Sequence, residues 1–280
     1  MIKSVLTILI ASNLLQQSTS QNCSFVDDLT LTLQTQNGAV RGKCENVAVS
    51  YAAATTTSAD VLVWQSIPYA EPPVGKNRFR PPVPLKGPWN GVLDGRVQPK
   101  ACLQLTLFNT NNQRSAEDCL FLNIYAERNA YMSRFTALKP ILVFIHGGAF
   151  VFGSSSDYDG RTVASLAGVI VVTIQYRLNA LGALHLADTY ATGNQGLLDT
   201  QLALKWISEN ARSFGGDNAK ITISGHSAGA WITGYHLYMR PSWSFFRNAR
   251  LQSGGPTGTS NKFSLFERVF IICLLNSIIC

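Results

Sequence analysis

Gly225-His226-Ser227-Ala228-Gly229 sets one serine between two glycines, after the apolar run Ile221-Thr222-Ile223 and before a helix-forming stretch. A strand that turns abruptly into a helix strains the serine backbone, and a Cβ on either flank would strike neighbouring elements. Such a turn lifts the Ser227 hydroxyl clear of the sheet, where it can attack an acyl carbon. A second pattern complements it: His146-Gly147-Gly148-Ala149-Phe150 follows directly on the apolar run Ile141 to Ile145. Attack on an ester builds negative charge on oxygen, and glycine amides at a strand end can meet that charge without side-chain obstruction. The amide of Ala228, next after the serine, supplies a further donor. Either pattern alone could be an ordinary turn; their occurrence together argues against that.

The elements needed to hold these residues are legible around them. From 120 onward the pattern is strand, connection, strand, helix. Phe121 to Tyr125 reads as a strand, and Ile141 to Ile145 and Val169 to Ile174 are continuous apolar runs, as for strands buried on both faces. Residues 196–213 read as a helix, with Leu198, Leu202 and Trp206 at four-residue spacing. Lys220 to Ser224 is the next strand, Ala228 to Met239 the next helix, and Ala249 to Gln252 a following strand. This alternation predicts an α/β fold with a doubly wound, mostly parallel central sheet. Ahead of it, Leu29 to Leu33 alternates apolar and polar, Asn37-Gly38 signals a turn, and Ala39 to Gly42 returns antiparallel. Val61 to Trp64 is another strand, and the proline-dense stretch from Ile67 to Pro82 is expected to be an ordered surface loop.

Composition excludes several classes. Of the 280 residues, 46% are apolar and 14% charged, which excludes a disordered chain. The formal charge is +7, but Lys and Arg are scattered, so no nucleic-acid or lipid surface is expected. Residues 1–20 read as a secretory signal peptide: Lys3 is the positive region, Val5 to Leu15 the apolar region, and Ser18-Thr19-Ser20 the cleavage region. The apolar region is too short to span a bilayer as a helix. Asn22-Cys23-Ser24 is a glycosylation sequon at Asn22. Secretion makes disulfides expected among the 6 cysteines, whose pairing the spacing leaves open. Cys102 with Cys119 is the best local pair, bracketing an Asn-rich loop; Cys23 with Cys44 is a weaker one, and Cys273 and Cys280 are unassigned. No cysteine or histidine spacing suggests a zinc site, and no metal or cofactor is expected.

Taken together, the chain resembles the type-B carboxylesterase/cholinesterase family, α/β-hydrolases, from about residue 34 to 258. The likeness is carried by Ile67 to Gly75, Glu117 to Tyr125, Gln175 to Leu178, Gly193 to Asp199, Phe214 to Asp217, the serine turn, and Leu251 to Gly254. It implies that Ser227 is the acylated nucleophile, that Gly147, Gly148 and Ala228 form the oxyanion hole, and that Cys102–Cys119 is a family disulfide. It also implies a small carboxylic ester as substrate. His226 departs from the glutamate most often found at that position; its imidazole, adjacent on the turn, cannot serve as base to Ser227. The loop between Cys102 and Cys119 lacks the tryptophan with which cholinesterases hold quaternary ammonium, so choline esters are a poor expectation.

In this fold the triad acid and histidine follow the serine. After Ser227 the sequence offers only Glu267, which matches no family motif, and His236, expected to be a packed or surface residue. The triad acid and histidine are therefore expected to be absent, and the 280-residue chain inactive as it stands. Residues 21–258 read as the N-terminal portion of the hydrolase domain. Residues 259–280 read as a non-family apolar tail, expected to come from a truncated product rather than a short isoform. As a GPI signal, Gly258-Thr259-Ser260 would be the attachment site, a less favoured reading. A non-catalytic cholinesterase-like adhesion or binding protein is the alternative. Such relatives commonly lose the serine or the oxyanion glycines, whereas both are retained here.

Overall fold

The apolar runs that read as doubly buried lie in the middle of one seven-stranded sheet. The computed structural model describes residues 23, 31–51, 54–104, 115–186 and 190–256. The signal-peptide region, Asn22, Glu267, the segment 257–280 with its GPI pattern, Cys273 and Cys280 lie outside the described residues. The first strands are β1 (Thr32–Thr35), β2 (Gly38–Arg41), β3 (Lys43–Tyr51), β4 (Ala54–Pro68), β5 (Val92–Asp94) and β6 (Ala101–Cys102). Next come β7 (Ser115–Ala116), β8 (Phe121–Glu127), α1 (Arg128–Met132), β9 (Lys139–Ile145), α2 (Arg161–Ala167) and β10 (Ile170–Ile174). The remainder is α3 (Asn179–Ala183), α4 (Gln195–Asn210), β11 (Gly216–His226), α5 (Ala228–His236) and β12 (Asn248–Gln252).

The main sheet has the order β12-β11-β9-β10-β8-β4-β3. β12, β11, β9 and β10 pair in parallel, while β10–β8, β8–β4 and β4–β3 are antiparallel. Five of the seven strands thus run in one sense, with β8 and β3 opposed. Alternate residues of each strand feed two cores, as a two-residue side-chain period requires. Val61, Val63, Tyr125, Phe144 and Val171 pack with Val163 and Ala164 of α2 in one cluster. Leu62, Trp64, Ile124, Val143 and Val172 join the other, with Ala203, Leu204 and Ile207 of α4 and Ile232 of α5. Helices therefore cover both faces, which is the doubly wound arrangement of an α/β-hydrolase.

The amino-terminal hairpin pairs Thr35 with Gly38, so its turn is Gln36-Asn37, one residue earlier than the Asn-Gly signal suggests. Gly38 sits at φ +133, and a Cβ there would run into the Trp89 indole. The proline-rich stretch is only partly a surface loop. Ile67 and Pro68 finish β4, and Tyr69 is buried with its hydroxyl donating to the Gln175 carbonyl at 2.7 Å. Two disulfides are formed, Cys23–Cys44 and Cys102–Cys119, so the weaker of the two sequence pairings is present as well. Cys23, Cys44 and Asp60 lie close together, but the two sulfurs are bonded to each other and leave no metal site there. Among the described residues no helix is long and apolar enough to cross a membrane.

Candidate active site

β11 ends at His226, and Ser227 follows at φ 54, ψ −120 before α5 begins at Ala228. That backbone region is sparsely populated for any residue with a Cβ, and it costs about 1–3 kcal/mol to hold. Hydrogen bonds on both sides of the residue hold it. The Ser227 amide donates to the Gln252 carbonyl at the end of β12 (2.8 Å), and the Ser227 carbonyl accepts from Ala230 (2.8 Å) and Trp231 (3.1 Å). The flanking glycines permit the turn sterically. A Cβ on Gly225 would run into the Gly229 carbonyl, and one on Gly229 into the Ile145 carbonyl of β9. The turn is thus wedged between the end of β9 and the start of α5, with Ser227 half-buried.

The loop after β9 passes directly over this turn. A Cβ on Gly147 would lie 2.7 Å from the His226 carbonyl and 3.2 Å from the Ser227 Cβ. Most carbonyls of the loop are tied down. His146 Nδ1 meets the Gly147 carbonyl at 2.9 Å, and the Gly148 carbonyl accepts from Val151 (2.9 Å) and Phe152 (3.0 Å). The Phe150 carbonyl accepts from the Asn179 amide (2.8 Å) and the Val151 carbonyl from Asn179 Nδ2 (2.9 Å). In a trans peptide each N–H points opposite to the carbonyl preceding it. Fixing the Gly147 and Gly148 carbonyls therefore fixes the amides of Gly148 and Ala149 facing the other way. Among the described residues the amides of Gly148, Ala149 and Ala228 make no hydrogen bond.

His146 is a structural part of this loop. A carbonyl can only accept, so Nδ1 carries the proton, and Nε2 of the neutral ring is left without a partner among the described residues. The ring stacks on that of Tyr176 with centroids 4.4 Å apart, and the Tyr176 hydroxyl donates to the His146 carbonyl at 2.9 Å. Burial holds the imidazole down to about 4, so it is neutral at pH 7.

His236 is buried and committed elsewhere. Thr200 Oγ1 donates its one proton to the Leu197 carbonyl (2.7 Å), so it accepts from His236 Nε2 (2.8 Å). Nδ1 then accepts from Ser242 Oγ (2.9 Å), which in turn accepts from Gln201 Nε2 (3.0 Å). Burial lowers this imidazole to about 4 as well. At the far end of α5 from Ser227, it is roughly 13 Å away by helical rise. His185 is exposed and His226 half-buried, and none of the four histidines hydrogen-bonds Ser227 among the described residues.

The profile of the carboxylesterase family matches residues 30–263. The chain belongs to the carboxylesterase family. It is 41% identical over 240 residues to an acetylcholinesterase of Gallus gallus, covering 81% of this chain and 30% of that relative. It is 40% identical to an acetylcholinesterase of Electrophorus electricus, covering 86% of this chain and 38% of the relative. A cocaine esterase of Homo sapiens is 40% identical, over 70% of this chain and 36% of the relative. The chain thus spans well under half the length of each of these curated relatives.

In this carboxylesterase-family chain the structure brings Ser227, Gly147, Gly148 and Ala228 to one end of the sheet, as the motifs suggest. It adds two residues given no role from the motifs: Ala149, whose amide makes no hydrogen bond among the described residues, and Asn179, which fixes two loop carbonyls. Asn179 lies 28 residues from Val151, so no local pattern announces it. Ala149 at φ 54 and Asn179 at φ 58 share the positive-φ backbone of Ser227.

Proposed function

We propose that the protein is a carboxylic ester hydrolase of which this chain holds the nucleophile and the oxyanion donors. One observation carries this: a strained serine turn and three amides without hydrogen-bond partners among the described residues occupy the same end of the sheet. As Ser227 Oγ attacks the ester carbonyl a base takes its proton, amides meet the oxyanion, the leaving oxygen takes up that proton and departs as the alcohol, and water then releases the acid from the acyl-serine. The donor set favoured by the fixed loop carbonyls is Gly148, Ala149 and Ala228. Each such donor contributes about 3 kcal/mol to the transition state. Amide donors suffice to stabilise the oxyanion, so the scheme calls for no metal or cofactor. Relatives named for acetylcholine and cocaine leave the ester class open, and the missing tryptophan argues against choline esters.

The base is the missing element. No histidine of the described residues hydrogen-bonds Ser227, so in this reading the described residues supply the nucleophile without its base. Loss of a catalytic histidine costs about 10⁶ in turnover in a serine hydrolase. The purified 280-residue chain is therefore expected to hydrolyse a short-chain nitrophenyl ester no faster than its Ser227→Ala variant. Robust turnover abolished by Ser227→Ala would overturn the absence of a base. Separately, a fluorophosphonate probe is expected to label Ser227 in the native protein purified from its source. No label there would favour a non-catalytic binding role. We read the chain as secreted, supported by the Lys3-to-Ser20 leader pattern and the two disulfides. A glycan at Asn22 belongs to the same reading.

A further inference from the structure

The loop that presents the Gly148 and Ala149 amides is tied at its far end by a residue just past the first cysteine of the Cys102–Cys119 bridge. Gln104 Oε1 accepts from the Gly153 amide at 2.9 Å, while Gln104 Nε2 donates to the Gly153 carbonyl at 3.0 Å. The same Nε2 donates to the Cys102 carbonyl at 3.1 Å. One primary amide therefore grips both polar groups of Gly153 and joins them to a buried half-cystine. Gly153 matters because its backbone rests on the hydrogen bond that orients the donors. At φ +113, a Cβ there would lie 2.6 Å from His146 Nδ1 and 2.7 Å from the Gly147 carbonyl. Asn179 makes a parallel tie, reaching the Leu103 carbonyl (3.3 Å) as well as the Val151 carbonyl (2.9 Å).

We infer that Gln104 is a positioning residue, transmitting the rigidity of the Cys102–Cys119 bridge to the oxyanion loop through Gly153. The inference rests on the assignment of Gly148 and Ala149 as oxyanion donors, but the link itself is mechanical. An apolar side chain at 104 would leave the Gly153 amide and carbonyl without these partners and free the loop to move. The bridge and Gln104 act in series, so losing either one removes most of what both supply.

The test is amide hydrogen exchange on the full 280-residue chain, with the amide spectrum recorded alongside. Gln104→Met, close in volume, is expected to speed exchange at the hydrogen-bonded amides of Val151, Phe152 and Gly153 by about tenfold or more, as loss of several neutral hydrogen bonds implies. Exchange in Ile141 to Ile145 and Ile221 to Ser224 stays within about twofold, because a local opening spares the sheet. The Gly153 amide proton moves upfield as it loses its acceptor. Cys102→Ser/Cys119→Ser gives the same localised rise, and the combined variant adds less than the sum of the two in free energy. Unchanged exchange at Val151, Phe152 and Gly153 in Gln104→Met, a rise spread evenly over the sheet, or full additivity would each overturn the inference. Should Gln104→Met fail to fold, the cysteine variant alone decides by the same localisation. Exchange does not depend on turnover, so an inactive chain leaves the inference standing, and the probe experiment judges the catalytic assignment separately.

Discussion

Ser227 is held in a conformation that glycine would adopt with less cost. At φ 54, ψ −120 the Cβ is the source of the strain, and the hydroxyl it carries is the reason to keep it. Ser227→Gly is therefore expected to raise stability by about 1 kcal/mol, the strain released being partly offset by the added freedom of the unfolded chain. Ser227→Ala keeps the Cβ and is expected to leave the urea midpoint nearly unchanged. Equal midpoints for the glycine and alanine variants would show that the turn carries no strain. Gly229 is the opposite case, since a Cβ there drives into the Ile145 carbonyl, which belongs to a central strand and cannot yield. Gly229→Ala is expected to cost about 3 kcal/mol, toward the upper end of overpacking penalties. A urea midpoint within error of the parent would refute this. The motif makes both residues legible, because a strained turn admits so few residue types. It does not make the donor set legible. Which amides are free depends on where the carbonyls go, and the partners that decide it, such as Asn179, stand outside any motif.

At the scale of elements, β9, β10, β11 and α4 can be read because burial on both faces or along a long stripe leaves a regular pattern. The helices α1, α2 and α3 cannot, since five to seven residues carry too little periodicity. The irregularity in β4 leaves no trace in the sequence either. Ser66 at φ 54 is fixed there by Asn123 Oδ1 (3.1 Å), a partner on β8. The family stretches Gln175 to Leu178 and Gly193 to Asp199 acquire a physical reason. Arg177, at the exit of β10, grips Asp199 of α4 through Nε (2.8 Å) and a terminal nitrogen (2.6 Å), with both residues buried. Its other terminal nitrogen donates to the Arg80 carbonyl (2.8 Å), so one side chain joins strand, helix and proline-rich loop. Removing one member strands a buried charge, whereas removing both does not. Arg177→Met is expected to cost about 3–5 kcal/mol, and Arg177→Met/Asp199→Leu to recover much of that loss. Denaturant titration of the two single variants and the double variant gives the coupling. A double variant whose loss equals the sum of the singles would mean that the pair does not act as a unit.

For the whole molecule, two buried neutral histidines tie stability to pH. His146 and His236 lie in different parts of the fold, under the loop that follows β9 and between α5 and α4, and burial lowers each from 6.5 to about 4. Well above pH 6.5 both are neutral in the folded and the unfolded chain. As pH falls from 6.5 toward 4 the unfolded chain binds two protons that the folded chain refuses, so stability declines across that window. Below about 4 the folded rings protonate too, and this contribution to the slope ends. Two protons correspond to a slope of up to about 2.7 kcal/mol per pH unit, with an upper bound of about 3 kcal/mol for each histidine. Asp94 acts in a lower window. Lowered from 3.8 to about 2, chiefly by its hydrogen bond from Arg96, it loses its contribution only as pH falls below 3.8. Urea midpoints at about pH 6.5, 5.5 and 4.5 sample the histidine window and are expected to fall, opposed in part by Asp118 and Asp199, whose carboxyls burial pushes up. His236→Gln removes one titrating ring from the Thr200–Ser242 network, so its midpoint is expected to lie lower at neutral pH but to fall about half as steeply. A His236→Gln midpoint that falls as steeply as the parent's would mean that this ring is not held neutral by burial.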